Sequence, residues 1–175
     1  MSDLTIKAEL FAFASHAAIG QDRKYTGDAY IVHPVAVSAL VKLVGGTDEM
    51  IAAALLHDVV EDTDIRLCDI KAYFGYDVAD MVSGLTDISK PGDGNRATRK
   101  EIDRQHLSIQ SPDTKTIKLA DLIHNSYSIV KHDPKFAKVY MAEKKLLLEV
   151  LTEGNYHLYN KALKIVNNYY KDNKA

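Results

Sequence analysis

From Leu4 to Ile19, apolar and small residues recur at spacings of three and four (Leu4, Ala8, Phe11, Ala12, Ser15, Ala18, Ile19), which predicts an amphipathic helix with His16 on its later turns. "GQDRKYTGDAY" breaks the pattern. "HPVAVSALVKLV" resumes it: the helix is entered through His33, carries Pro34 where a first turn tolerates a missing N–H, and is stopped by Gly45 and Gly46. A third helix is expected from roughly Asp48 to Asp62, capped by Thr47 or Asp48. Its middle, Met50 through Leu56, is apolar nearly all round, as suits a central helix enclosed by others.

Shorter helices are predicted in "DIRLCDIKAYF" and "YDVADMVSGLTDI", divided at Gly75. The proline and glycines of "SKPGDGN" signal a loop, so residues 88–95 are the expected mobile lid. "ATRKEIDRQHLSI" reads as a polar-faced helix ended by Ser111-Pro112, and "DTKTIKLADLIHNSYSIV" as another with Asp113 as its candidate cap. After the interruption "HDPKF", two further helices run from Lys135 to Leu151 and from Asn155 to Tyr170, and the charged tail beyond them is expected to fray. Period-two alternation, repeats and low-complexity tracts are absent from the sequence. The expectation is an all-α, compact single-domain helical bundle over residues 1–175.

Length agrees, because a chain of 175 residues buries roughly 70% of its unfolded surface without a disulfide or metal to hold it. The one cysteine, Cys68, cannot close an intrachain disulfide and reads as a partly buried small side chain; with no secretory pattern at the start, the expected compartment is the cytoplasm. No apolar run approaches the ~20 residues that span a bilayer, so no membrane partner is expected. Lys and Arg number 22 against 24 Asp and Glu, a net charge of −2. With no basic helix, cysteine pair or phosphate-cradling glycine loop, no nucleic-acid partner is expected either.

Candidate chemistry concentrates in "AALLHDVVEDTD". An imidazole and three carboxylates, His57, Asp58, Glu61 and Asp62, follow an apolar run. On a helix His57 lies beside Glu61, and Asp58 beside both Glu61 and Asp62. His57 and Asp58 are close enough in angle to reach one ion off the helix end, and their mixed nitrogen and oxygen donors suit a divalent transition metal. One helix cannot surround an ion. His33 and Asp121 are the best further candidates, and Asn125 lies one turn after Asp121 on the same face.

The segments "YIVHP", "ALLHDVVEDT" and "IKLADLIHN", in that order, resemble the hydrolase domain of RelA/SpoT-type enzymes within the HD metallophosphohydrolases. The resemblance is strongest over residues 4–130 and leaves 131–175 as C-terminal helices. It implies an all-helical fold in which Mn²⁺ supports removal of the 3′-pyrophosphate from the alarmones ppGpp and pppGpp, a small-molecule nucleotide being the expected partner. It further implies that His33, His57, Asp58 and Asp121 hold the metal and that Glu61 and Asp62 handle protons. "DRKYTGDAY" resembles the segment whose basic pair lies under the base and near phosphate, here Arg23 and Lys24. Asn125 and Ser128 match positions near the ribose and phosphates, and Arg99 one facing the departing pyrophosphate. Ala29 and Tyr127 depart from the family pattern, where proline and arginine are usual. Adenosine alarmones, the 2′-phosphate of NADPH, other nucleoside phosphates, or a non-catalytic alarmone-binding role are the alternatives. His16, His106, His124, His132 and His157 read as surface or half-buried histidines. Tyr156, Tyr159, Tyr169 and Tyr170 read as a packing stripe that leaves a homo-oligomer open.

Overall fold

Every residue from Ala52 to Leu56 is buried, as an apolar circumference demands, and burying side chains such as Leu55 and Leu56 is worth roughly 1.5–3 kcal/mol each. The computed structural model, which describes residues 2–173, is all-α apart from one 3₁₀ turn and connecting segments; β-pairing among the described residues is limited to one antiparallel bridge, Asp22 to Ala29. Among those residues no helix is long and apolar enough to cross a membrane. The chain divides into two units, Met1–Thr86 and Asp87–Ala175.

The first unit contains α1 (Asp3–Ala18), α2 (Val32–Leu43), α3 (Asp48–Leu56), the single turn α4 (Val59–Asp62), α5 (Leu67–Phe74) and α6 (Tyr76–Leu85). Helix α3 packs against α1, α2 and α6, with small Ala52, Ala53 and Ala54 letting its neighbours come close. Thr47 is its cap, its hydroxyl accepting the Met50 N–H. Helix α2 starts at Val32, so His33 lies inside the first turn rather than before it.

The expected helix over 48–62 is broken. The His57 Nδ1 lies 2.8 Å from the Ala54 carbonyl, the acceptor that a continuing helix would offer to the Asp58 amide. Helix α3 therefore stops before His57, Asp58 takes φ −95° and ψ −7°, and α4 starts afresh at Val59. Between α1 and α2 the backbone turns as a hairpin: the Arg23 N–H donates to the Asp28 carbonyl at 2.8 Å, and Gly27 supplies the left-handed φ of +72° that the turn needs.

The second unit contains α7 (Arg96–Ser108), α8 (Pro112–His132), α9 (Pro134–Leu148) and α10 (Tyr156–Asp172), with α8 packed against α9 and α10. The cap of α8 is Ser111, whose hydroxyl accepts the Thr114 N–H at 3.2 Å; Asp113 sits inside the first turn, where its charge faces the positive helix end. The "SKPGDGN" loop holds a 3₁₀ turn, Pro91–Asp93, and its entrance is tied down: the buried Asp103 carboxylate accepts the N–H groups of Ile88 and Ser89 at 3.1 and 2.9 Å. Helix α10 runs on to Asp172, so part of the expected frayed tail is helical, and residues 174–175 lie outside the described residues. Cys68 is exposed rather than partly buried.

Candidate metal centre and active site

Three of the expected ligands meet in the first unit. His33 is held in the first turn of α2 and His57 at the end of α3, and both are buried. The Asp58 Oδ2 lies 3.1 Å from His57 Nε2 and 3.5 Å from His33 Nε2, and one donor atom from each residue falls within 4.8 Å of the others. A carbonyl oxygen can only accept, so His57 Nδ1 carries the proton towards Ala54 and its Nε2 lone pair faces Asp58. This is the arrangement that fixes a ligating imidazole, with the remote nitrogen anchored and the near one available. Two imidazoles and a carboxylate suit a divalent transition metal.

Sequence reasoning missed the residue that orients the carboxylate. The Tyr30 hydroxyl donates to Asp58 Oδ2 at 2.6 Å. Its signal was present, since "YIVHP" places a tyrosine three residues before His33, but nothing in the spacing pairs it with a residue 28 positions away. Removing this hydroxyl in Tyr30→Phe leaves the ring and is expected to weaken divalent-metal affinity by about 10- to 100-fold, read by metal titration of the metal-free protein. Unchanged affinity would mean that Asp58 needs no such support.

The acidic pair, Glu61 and Asp62, is exposed on α4, and Asp62 Oδ2 accepts the Gln21 side-chain N–H at 2.9 Å. Arg23 and Lys24 lie on the hairpin. The Arg23 guanidinium sits 5.6 Å from the centre of the Tyr30 ring, and the Lys24 ammonium 4.9 Å from that of Tyr25.

The remaining expected residues belong to the second unit. Asp121 is buried on α8, its Oδ1 accepting the Asn125 amide at 2.6 Å, as the one-turn spacing predicted, and its Oδ2 paired with the Lys118 ammonium at 3.1 Å. Ser128 follows on α8, and Arg99 lies partly exposed on α7. Nothing in the spacing of residues singled out the other cations here. Burial pushes the Lys144 ammonium down to about 8, with Lys118 and Lys100 adding to the effect and Asp121 and Glu143 opposing it. Burial raises the Asp87 carboxyl, but Lys118, Lys100 and Lys144 outweigh that and hold it below its ordinary value.

A profile described as the HD domain matches residues 8–146. The chain belongs to the HD-domain family. This HD domain is 40% identical over 135 residues to a probable guanosine-3′,5′-bis(diphosphate) 3′-pyrophosphohydrolase of Synechocystis, a match covering 75% of the chain and 17% of that protein. It is 38% identical over 107 residues to a GTP pyrophosphokinase of Streptomyces coelicolor, covering 61% of the chain and 12% of the relative. The HD domain thus spans less than a fifth of the length of these two curated relatives. Among solved structures it is similar to a metazoan orthologue of SpoT that hydrolyses ppGpp, with a TM-score of 0.85, 27% identity and 97% of each chain covered. The RelA/SpoT-type resemblance and the all-α fold both hold.

Of the histidines set aside as surface or half-buried, His16 departs from expectation, because in the HD domain it is buried at the end of α1. Its ring centre lies 4.6 Å from that of Tyr30, so it forms part of the wall behind the Asp58 carboxylate.

Proposed function

We propose that this HD domain is a cytoplasmic, Mn²⁺-dependent hydrolase that removes the 3′-pyrophosphate from ppGpp and pppGpp, giving GDP or GTP and pyrophosphate. The observation that carries the reading is the convergence of His33, His57 and Asp58 one turn before the Glu61 and Asp62 carboxylates. Names borne by the relatives, a 3′-pyrophosphohydrolase and a ppGpp-hydrolysing orthologue of SpoT, support the choice of substrate. The family match runs across residue 86, which supports treating residues 1–175 as one hydrolase domain.

In this reading Asp121 is the fourth ligand, its carboxylate steadied by Asn125 and Lys118. When bound, a divalent cation supplies a Lewis acid for the phosphoryl oxygens and an acidified water as nucleophile. Glu61 and Asp62 would order the attacking water, take its proton as its oxygen bonds to phosphorus, and return one to the 3′ oxygen as the bond from that oxygen to phosphorus breaks. Arg23 stacks on the base and Lys24 meets phosphate, a flat guanidinium suiting a π-face and a compact ammonium a point charge. Asn125 and Ser128 contact the ribose and phosphates, and Arg99 receives the departing pyrophosphate.

A panel of nucleotides with Mn²⁺, read for free pyrophosphate and orthophosphate separately, tests this. Pyrophosphate from ppGpp and pppGpp is expected. Orthophosphate alone from every substrate would overturn the reading in favour of NADPH or nucleoside phosphates, a second reading kept by the departures at Ala29 and Tyr127. Tight ppGpp binding without turnover under any divalent metal would make the chain an alarmone-binding module.

A further inference from the structure

Asp62 stands on a helix of one turn and is exposed. Proton transfer needs such a carboxylate held within hydrogen-bond reach of its partner. What holds it is Gln21: the side-chain N–H of Gln21 donates to Asp62 Oδ2 at 2.9 Å, while its side-chain oxygen lies 2.7 Å from His16 Nδ1.

The chain of bonds has one self-consistent direction. The His16 Nε2 is buried and has no hydrogen-bond partner among the described residues, so a proton there would be a desolvated, unsatisfied donor. The proton therefore belongs on Nδ1, which donates to the Gln21 oxygen, and the Gln21 NH₂ is left facing Asp62. The opposite tautomer would rotate the amide and set its oxygen against the carboxylate. The backbone fixes the same residue at both sides, since the Gln21 N–H donates to the His16 carbonyl at 3.1 Å and the Gln21 carbonyl accepts from Tyr30 at 3.2 Å. Gln21 is also the residue from which the hairpin bearing Arg23 and Lys24 departs.

We propose that His16 and Gln21 are positioning residues for Asp62, with the His16 tautomer setting the Gln21 amide and the amide tying the proton-handling carboxylate to the hairpin that contacts the nucleotide. The inference rests on the role given to Asp62 above. Neither residue touches the reacting atoms; each acts on the orientation of a group that does.

The test uses the full chain with Mn²⁺ and whichever nucleotide the panel shows to be turned over. Gln21→Leu is expected to lower kcat by about 10- to 100-fold, the scale of a misplaced catalytic group, with KM changed less than about twofold. His16→Leu should give the same loss, and the double variant no greater loss than either, because both break one chain of contacts. His16→Asn, whose amide can donate from near the Nδ1 position, should recover most of the loss. If His16→Leu does not fold, judged by its melting curve, the part-exposed Gln21→Leu and the Asn variant still decide. Independently of activity, the imidazole ¹⁵N shifts of His16 in metal-free protein should show a protonated Nδ1 and a bare Nε2. A protonated Nε2, or full kcat in Gln21→Leu beside an inactive Asp62→Asn, overturns this inference alone. Full turnover in Asp62→Asn, or a panel with no turnover at all, removes the role of Asp62 and this inference with it.

Discussion

Mn²⁺ is expected to stabilise the wild-type chain against heat, and His57→Ala to abolish that stabilisation. A ligand that binds the folded protein alone, at one hundred times its dissociation constant, stabilises by about 2.7 kcal/mol. For a chain of this size each kcal/mol moves the melting temperature by about 2–4 °C, so saturating Mn²⁺ should raise it by roughly 5–11 °C. His57 supplies a donor 3.1 Å from Asp58 and is positioned by its hydrogen bond to the Ala54 carbonyl. Elemental analysis of loaded protein should fall from one ion per chain to nearly none. The substitution removes a hydrogen bond worth about 1 kcal/mol and empties the buried volume where the imidazole packs beside His33, so the metal-free melting curve of the variant is read first to establish that it folds. Should His57→Ala and Asp58→Asn both keep the Mn²⁺ shift, the ion sits elsewhere and the proposed centre is wrong.

Glu61→Gln and Asp62→Asn form the second test, because here the metal should stay while turnover goes. Both side chains lie on α4, beyond the turn that carries His57 and Asp58, and each substitution keeps the volume while removing the basic oxygen. General acid–base catalysis contributes about 10²- to 10⁴-fold, and the loss should fall on kcat with the Mn²⁺ thermal shift preserved. An amide variant with full activity strikes its residue from the mechanism. Loss of the metal shift along with activity would instead mark that carboxylate as a ligand.

The helices were readable because burial imposes a period on the chain. The expected segments around Ala8, Val37, Ala53 and Ile117 are all helical and contribute to the core. Pairs set by helical geometry were equally legible, and Asp121 with Asn125 is the clear case. What periodicity could not show was competition between a side chain and the backbone. His57 takes the Ala54 carbonyl and ends a helix that composition alone would continue to Asp62. The choice of Ser111 over Asp113 as cap is of the same kind, since both residue types cap well and only the course of the chain into α8 decides. Tyr30 to Asp58 and Gln21 to Asp62 join positions far apart in sequence, so the fold had to be known before either contact could be named. Lys144 shows the converse limit, because a lysine in a charged run gives no sign that its surroundings will pull its ammonium down to about 8.

The interruption between α3 and α4 bears on how such a protein can be improved. Substitutions that extend α3 through positions 57 and 58 would lengthen a well-packed helix, and a screen that rewards heat resistance alone would tend to select them. Each would also take His57 or Asp58 out of the group they form with His33. Variants from a screen of that sort should emerge sturdier and inert, so selection at these two positions has to score turnover together with endurance.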